Sequence, residues 1–146
     1  MEIVKGIEDD EIYQVIDMAY PAFEGVVDND IYKQIIFSEA NWDNSLKLVD
    51  DSGNIVGTYI LGDSQLPTEL STDYVELNGI EGVLLFIKEE FRGQGWGEKL
   101  KDYPIMLEVD YIWGQQFKLL NNLDMWLKRR KLVADIGDVY FTVEKY

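Results

Sequence analysis

Five consecutive apolar residues, Val83-Leu84-Leu85-Phe86-Ile87, run into Lys88-Glu89-Glu90-Phe91 and then Arg92-Gly93-Gln94-Gly95-Trp96-Gly97. An uninterrupted apolar run of this kind reads as a strand covered on both faces, so other layers must lie above and below it. We expect the strand over residues 80 to 91 and a helix from near Trp96 that carries Leu100 and Tyr103 and ends or kinks at Pro104. Glycines at alternate positions let the chain turn tightly between the two. The first N–H groups of a helix are unpaired, and the positive end of its dipole adds to their attraction for an anion. Two common phosphate patterns, G-x-x-x-x-G-K-[ST] and G-x-G-x-x-G, are absent. By itself the glycine cluster fits either a phosphate loop or a plain strand-to-helix connection.

The rest of the chain alternates strand and helix signals. Residues 2 to 7 read as a short strand. Asp9 or Asp10 would cap a helix whose Ile12, Val15, Ile16 and Ala19 form one apolar stripe, ended by Pro21. A second helix from Asp28 or Asp30 carries Ile31, Ile35 and Ile36. Residues 45 to 61 form a hairpin about Asp50-Asp51-Ser52-Gly53-Asn54, and residues 62 to 78 a long polar connection. A strand is expected at Tyr111-Ile112-Trp113. An amphipathic helix over 117 to 131 places Leu119, Leu120, Leu123, Trp126 and Leu127 on one face. Two short strands about Gly137 close the chain. The expected fold is α/β: one domain over residues 1–146, with a mixed central sheet and flanking helices.

Composition removes several chemistries. Among the 146 residues there is no cysteine and no histidine, so disulfides, thiolate nucleophiles, a Ser-His-Asp triad and the usual zinc ligands are excluded. No metal is expected. No apolar run approaches the roughly 18 residues of a membrane span, and the amino-terminal segment lacks the basic start and apolar run of a secretory signal. A cytoplasmic location without membrane association is the expectation. The net charge is −15; through Asp51 there are 13 acidic and 3 basic residues, and beyond it 15 and 10. Such a balance serves solubility in the plainest reading, and it disfavours a nucleic-acid partner, whose phosphates require basic residues. It also suits a cationic partner.

The segment LLFIKEEFRGQGWGEKL, with Arg92-Gly93-Gln94-Gly95-Trp96-Gly97 at its centre, resembles the [QR]-x-x-G-x-[GA] signature of the GNAT superfamily of N-acetyltransferases, together with its preceding strand and following helix. The element order is similar to that family's along nearly the entire chain. The resemblance implies an acetyltransferase using acetyl-CoA as cosubstrate. Backbone groups of Leu85, Phe86 and Ile87 would pair with its pantetheine arm, and a bulge in that strand would open a slot for the thioester. The N–H groups from Gly93 through Gln94, Gly95 and Trp96 to Gly97 would hold the pyrophosphate. Arg92 would stand at the mouth of the loop with its head free for phosphate or solvent; otherwise it is a surface arginine balancing Glu89 and Glu90. Trp96 should pack under the loop.

Acetyl transfer to an amine needs a base for the nitrogen, a donor for the oxyanion and a proton for the departing thiolate. Without Cys or His, direct attack with no covalent enzyme intermediate is the simplest route. Glu81, at the start of the strand, is our candidate base, since a desolvated carboxylate can be tuned upward; otherwise it is an exposed strand-edge charge. Glu76 and Asp73 are alternatives. The family's second pattern, N-x-x-A-x-x-x-Y, is not matched from either Asn121 or Asn122, so its usual acidic tyrosine is missing. Lys128 or Arg129 would stabilise the thiolate or contact a phosphate, or else belong to a solvated basic last turn. The acceptor is expected to be a cationic primary amine, small molecule or protein, facing Asp28, Asp30, Glu39 and Asp43. A homodimer is possible. The alternatives are a degenerate acyl-CoA-binding or acidic interaction module on the same fold and, more remotely, an acidic mimic of nucleic acid.

Overall fold

The computed structural model describes residues 1–146. In chain order it contains β1 (Glu2–Lys5), α1 (Ile12–Ala19), α2 (Asn29–Glu39), β2 (Leu46–Val49), β3 (Ile55–Gly62), β4 (Gly79–Ile87), α3 (Trp96–Asp102), β5 (Tyr111–Phe117), α4 (Leu123–Leu127), β6 (Lys131–Ile136) and β7 (Val139–Lys145), with short 3-10 turns between several of them. The expected alternation of strands and helices is met. All seven strands join one sheet in the order β1-β2-β3-β4-β5-β7-β6. Only β4 and β5 run parallel; every other neighbouring pair is antiparallel. No helix is long and apolar enough to cross a membrane.

Successive strand residues face opposite sides, so the sheet separates two cores. On one side α1 buries Ile12, Val15, Ile16 and Ala19, the expected stripe, against Ile55, Ile60 and Leu84. On the other, Leu100 of α3 and Trp126 of α4 pack with Tyr59, Leu61, Ile80 and Ile112. Asp28 caps α2, accepting from the Asp30 N–H at 3.1 Å. The buried residues of α2 are Tyr32 and Ile36, while Ile31 is exposed. Tyr32 displaces the expected isoleucine because its hydroxyl reaches the Ile16 carbonyl at 3.0 Å, fixing α2 to α1. Before α1, residues 9–11 form a 3-10 turn. Neither Asp9 nor Asp10 caps it; the Glu8 N–H is met by the Glu11 carboxylate at 3.0 Å.

The hairpin turns where expected, with the Asp50 carboxylate accepting from the Ser52 and Asn54 N–H groups at 3.0 and 2.9 Å. The long connection after β3 is anchored to β5. Ser64 accepts from the Trp113 indole at 2.8 Å, and the Leu66 N–H donates to the Tyr111 hydroxyl at 3.0 Å.

The helix expected over 117 to 131 does not form as such. Residues up to Phe117 continue β5, paired to β7, and Asn121 adopts the left-handed φ of 52° that stops any helix running through it. What remains is the five-residue α4, so Leu119 and Leu127 are exposed rather than on a common apolar face. Sheet pairing prevails here over helical periodicity.

The feature that positions the site is a split in the sheet. The β4–β5 ladder has only four pairs, from Gly79 with Tyr111 to Gly82 with Gly114. There β4 bulges: Ile60 pairs Leu84 and Leu61 pairs Gly82, leaving Val83 as the extra residue. Beyond it, β4 follows β3 and β5 follows β7, and a wedge opens between them.

Candidate functional site: a split between two strands

Two adjoining spaces occupy the wedge. The outer one is a groove of about 520 Å³ lined by Leu85, Phe86, Ile87, Arg92, Gly93, Gly95, Trp96 and Gly97, together with Ala22, Lys101, Asn122 and Met125. The inner one is a cavity of about 70 Å³ lined by Tyr59, Gly82, Val83, Leu84, Gln115, Gln116, Asn122 and Trp126, among others. Leu85 and Asn122 border both, so groove and cavity adjoin. Phe23, in the turn between α1 and α2, supplies part of the cavity wall.

Eight of the nine residues expected to hold the cofactor line the groove; Gln94 does not. From Val83 to Ile87, β4 has no strand partner on the β5 side, which leaves backbone groups there for a ligand. Gly93 and Gly95 take φ of 78° and 86°, a conformation that side chains disfavour. Gly97 is helical, and a Cβ there would merely touch Ile87 at 3.7 Å. Two expectations at the loop are corrected. Arg92 holds its head only partly free: its Nε donates to the Ile87 carbonyl at 2.7 Å and its guanidinium lies 5.3 Å from the Phe86 ring centroid, while the residue as a whole stays exposed. Arginine satisfies the last carbonyl of the strand because the turn that follows offers no strand to do so. Trp96 is half-buried in the groove wall and is covered by the Lys99 ammonium at 4.1 Å rather than packed beneath the loop.

Glu81 is buried, only 2% exposed, and not the strand-edge charge that was the plainer reading. It lies on the α1/α2 side, opposite Ile80 and Gly82. Burial and the facing Glu39 carboxylate at the end of α2 push its carboxyl up to about 9, while a hydrogen bond from Gln115 acts in the other direction. No cation offsets the pair. Gly62, paired with Glu81 across the ladder, makes the approach possible: its missing side chain leaves room for the Glu39 carbonyl. Of the other acidic residues expected at the acceptor site, Asp28 and Asp30 stand at the far end of α2, about 16 Å away along an eleven-residue helix. Asp43 packs its backbone near Gly6. Asp73 and Glu76 remain exposed on the loop.

In the basic cluster after α4, Lys128 and Lys131 are exposed as a solvated turn would have them, but the two arginines between them are not. Arg129 binds the carboxylates of Glu144, Asp102 and Glu98 at 2.9, 2.6 and 3.1 Å, joining β7 to α3. Arg130, which the sequence reading passed over, turns inward and is 6% exposed. Its guanidinium stacks 4.1 Å from the Trp126 ring centroid and donates to the Tyr59 hydroxyl at 2.9 Å and to Thr142 at 3.3 Å. It has no carboxylate partner. Gly82 and Gly114, facing one another at the apex of the split, provide the space: a Cβ on Gly82 would sit 2.6 Å from the Tyr59 hydroxyl, and one on Gly114 2.5 Å from Arg130 Nη1. The Asn122 carbonyl oxygen, between groove and cavity, is buried without a partner. Glycine within a strand signals close approach of another group, and that signal at Gly62, Gly82 and Gly114 was available in the sequence.

No family model and no curated protein matches the sequence. Solved structures do. The chain is similar to a PaiA N-acetyltransferase from Thermoplasma acidophilum in complex with coenzyme A, with a TM-score of 0.66, 13% identity and 100% of each chain covered. A GNAT-family acetyltransferase from Listeria monocytogenes matches at a TM-score of 0.67 and 11% identity, over 99% of this chain and 94% of its own. Naa20 from Chaetomium thermophilum, in complex with a bisubstrate analogue, matches at 0.66 and 12%, over 99% and 86%. The architecture of this chain is therefore the GNAT acetyltransferase fold.

Proposed function

We propose that this protein transfers an acetyl group from acetyl-CoA to a cationic primary amine by direct attack. The observation that carries the reading is the adjacency of groove and cavity, which brings a glycine turn and an unpaired strand edge to Gln115, the hydrogen-bond partner of the buried Glu81. The pyrophosphate would lie on the N–H groups from Gly93 to Gly97. The pantetheine arm would run as an extra strand along Leu85–Ile87, with an amide N–H directed to the orphaned Asn122 oxygen. Its thioester would then reach the apex of the split.

The acceptor would enter from the α1/α2 side, where the carboxyl groups of Glu39 and Glu81 face one another with no cation between them. A general base works best when its affinity for the proton approaches that of the group it deprotonates. Glu81 at about 9 is well matched to an alkylammonium of about 10. The structural matches to a complex with coenzyme A and to one with a bisubstrate analogue support this reading. A second reading, an acyl-CoA-binding protein without turnover, is favoured by one observation: α4 is too short to carry the family's tyrosine.

Calorimetric titration with acetyl-CoA tests the proposal, run in parallel on Gly95→Leu. Saturable binding by the wild type, weakened at least tenfold in the variant, is expected; no binding by the wild type would overturn it. Turnover with a panel of polyamines and lysine peptides then separates the enzyme from the binding protein.

A further inference from the structure

We propose that Tyr59, held by Arg130, donates the proton to the departing thiolate; the inference rests on the acyl-CoA reading above and assigns an acid where α4 lacks a tyrosine. Arg130 is the buried cation of this molecule without a carboxylate. Such a charge is costly to bury unless an anion comes to it. No protein anion does: its hydrogen bonds go to the Tyr59 and Thr142 hydroxyls, with Thr142 donating onward to Gln116 at 2.9 Å. The charge is instead held at the apex of the split, behind a tyrosine that lines the inner cavity.

The orientation of Tyr59 follows from these bonds. Arg130 Nη2 donates to the Tyr59 oxygen, so that oxygen is an acceptor, and its own O–H is donated to no group of the protein. Burial raises the phenol, while Arg130 draws it the other way, so Tyr59 carries its proton at neutral pH with a cation ready to hold the phenolate. The other charged or titratable groups around it are Arg129, Glu144 and Tyr146, with Lys101 beyond the Trp126 ring at 5.0 Å.

The step balances without any further reactant. The neutral amine nitrogen attacks the thioester carbonyl carbon, giving a tetrahedral intermediate. Its C–S bond breaks with the electron pair on sulfur. The Tyr59 proton passes to that sulfur, giving the CoA thiol and a phenolate held by Arg130. The proton lost by the nitrogen to Glu81 returns through solvent to Tyr59, and the products are the amide and CoA.

Affinity for CoA and for desulfo-CoA, in which hydrogen replaces the thiol, tests the assignment by calorimetry at pH 7 and pH 9. The ratio isolates what the sulfur meets, because Glu81 and every other group on the opposite side act on both ligands alike. In the wild type the preference for CoA should grow about tenfold over this range, as the bound thiol ionises beside Arg130. Tyr59→Phe should reduce the preference at least threefold, and Arg130→Gln should abolish its growth with pH. Arg130→Lys, which restores the charge, should recover part of it. Equal affinity for both ligands, or a preference that both variants keep, would overturn the proposal and leave acyl-CoA binding standing. Failure of the wild type to bind either ligand would overturn the acyl-CoA reading and this proposal together. Should Arg130→Gln fail to fold, Tyr59→Phe, which removes one oxygen, decides alone.

Discussion

The two sides of the split sheet bury an acid and a base, each without its complement. On the α1/α2 side, Glu81 meets a second carboxylate and no cation. On the α3/α4 side, Arg130 meets two hydroxyls and an aromatic ring but no carboxylate. Strand alternation alone separates them, since Glu81 and Gly82 are neighbours in β4 that point to opposite faces. Paired together they would make an ordinary buried salt bridge; kept apart, each leaves unspent interaction for a ligand that passes between them. Arg129, one residue before Arg130, shows the contrast within a single turn. Its three carboxylates make it part of the framework.

Three substitutions break or sharpen this contrast. Gly62→Ala should have the largest effect, because its Cβ would overlap the Glu39 carbonyl and backbone rather than a side-chain tip must move. We expect about 3 kcal/mol of destabilisation, the upper end for overpacking, read from urea unfolding. Glu81→Gln should lower turnover about 10²-fold while leaving acetyl-CoA affinity within twofold. In the wild type, turnover should rise from pH 7 toward 9 as the Glu81 carboxylate accumulates, and the variant should lose that limb.

The same variant carries a stability signature. In the folded chain Glu81 keeps its proton up to about 9, whereas the unfolded chain releases it near 4.3. Between those values the unfolded state binds fewer protons, so wild-type stability falls as pH rises. From pH 5 to pH 6.5, Glu81→Gln should escape about 2 kcal/mol of that loss; parallel pH profiles for the two proteins would refute the burial argument. Arg130→Met should have the smallest effect on folding, under about 1.5 kcal/mol, against about 3–5 for breaking a buried ion pair. A larger loss by thermal unfolding would mean that Arg130 is framework, like Arg129.

The fold was legible where one local signal had no competitor. The α1 stripe, the Asp50–Asn54 turn and the strand–glycine–helix passage each satisfied a short-range rule, and each forms. The segment from 117 to 131 had two competing patterns. Its leucines repeat with helical spacing, but pairing with Val139–Lys145 draws Phe117 into β5, a long-range contact that periodicity cannot register. That single misreading hid Arg130, because a basic residue at a helix end is taken for a solvated one. Glu81 was legible as a candidate because it opens the strongest strand. Its partner Glu39 was visible only as one of several acidic residues, since the contact depends on Gly62, which is remote in sequence from both carboxylates. Tyr59 was hidden in the hairpin as one more strand residue.

The bulge at Val83 also leaves an unpaired strand flank that the rest of the sheet has to guard. A strand with an unpaired flank invites pairing with any extended chain, and outer strands usually guard against this by being short or charged. Here β1 is four residues with Glu2 and Lys5 exposed, and β6 carries Lys131 and Asp135 on its exposed positions. The flank from Val83 to Ile87 has neither protection, being longer and wholly apolar. Its safeguard is depth. β4 is interior: β3 pairs its other flank, and β5 leaves it only beyond Gly82. The unpaired flank therefore lies within the sheet and not at its edge, and it carries no charged gatekeeper.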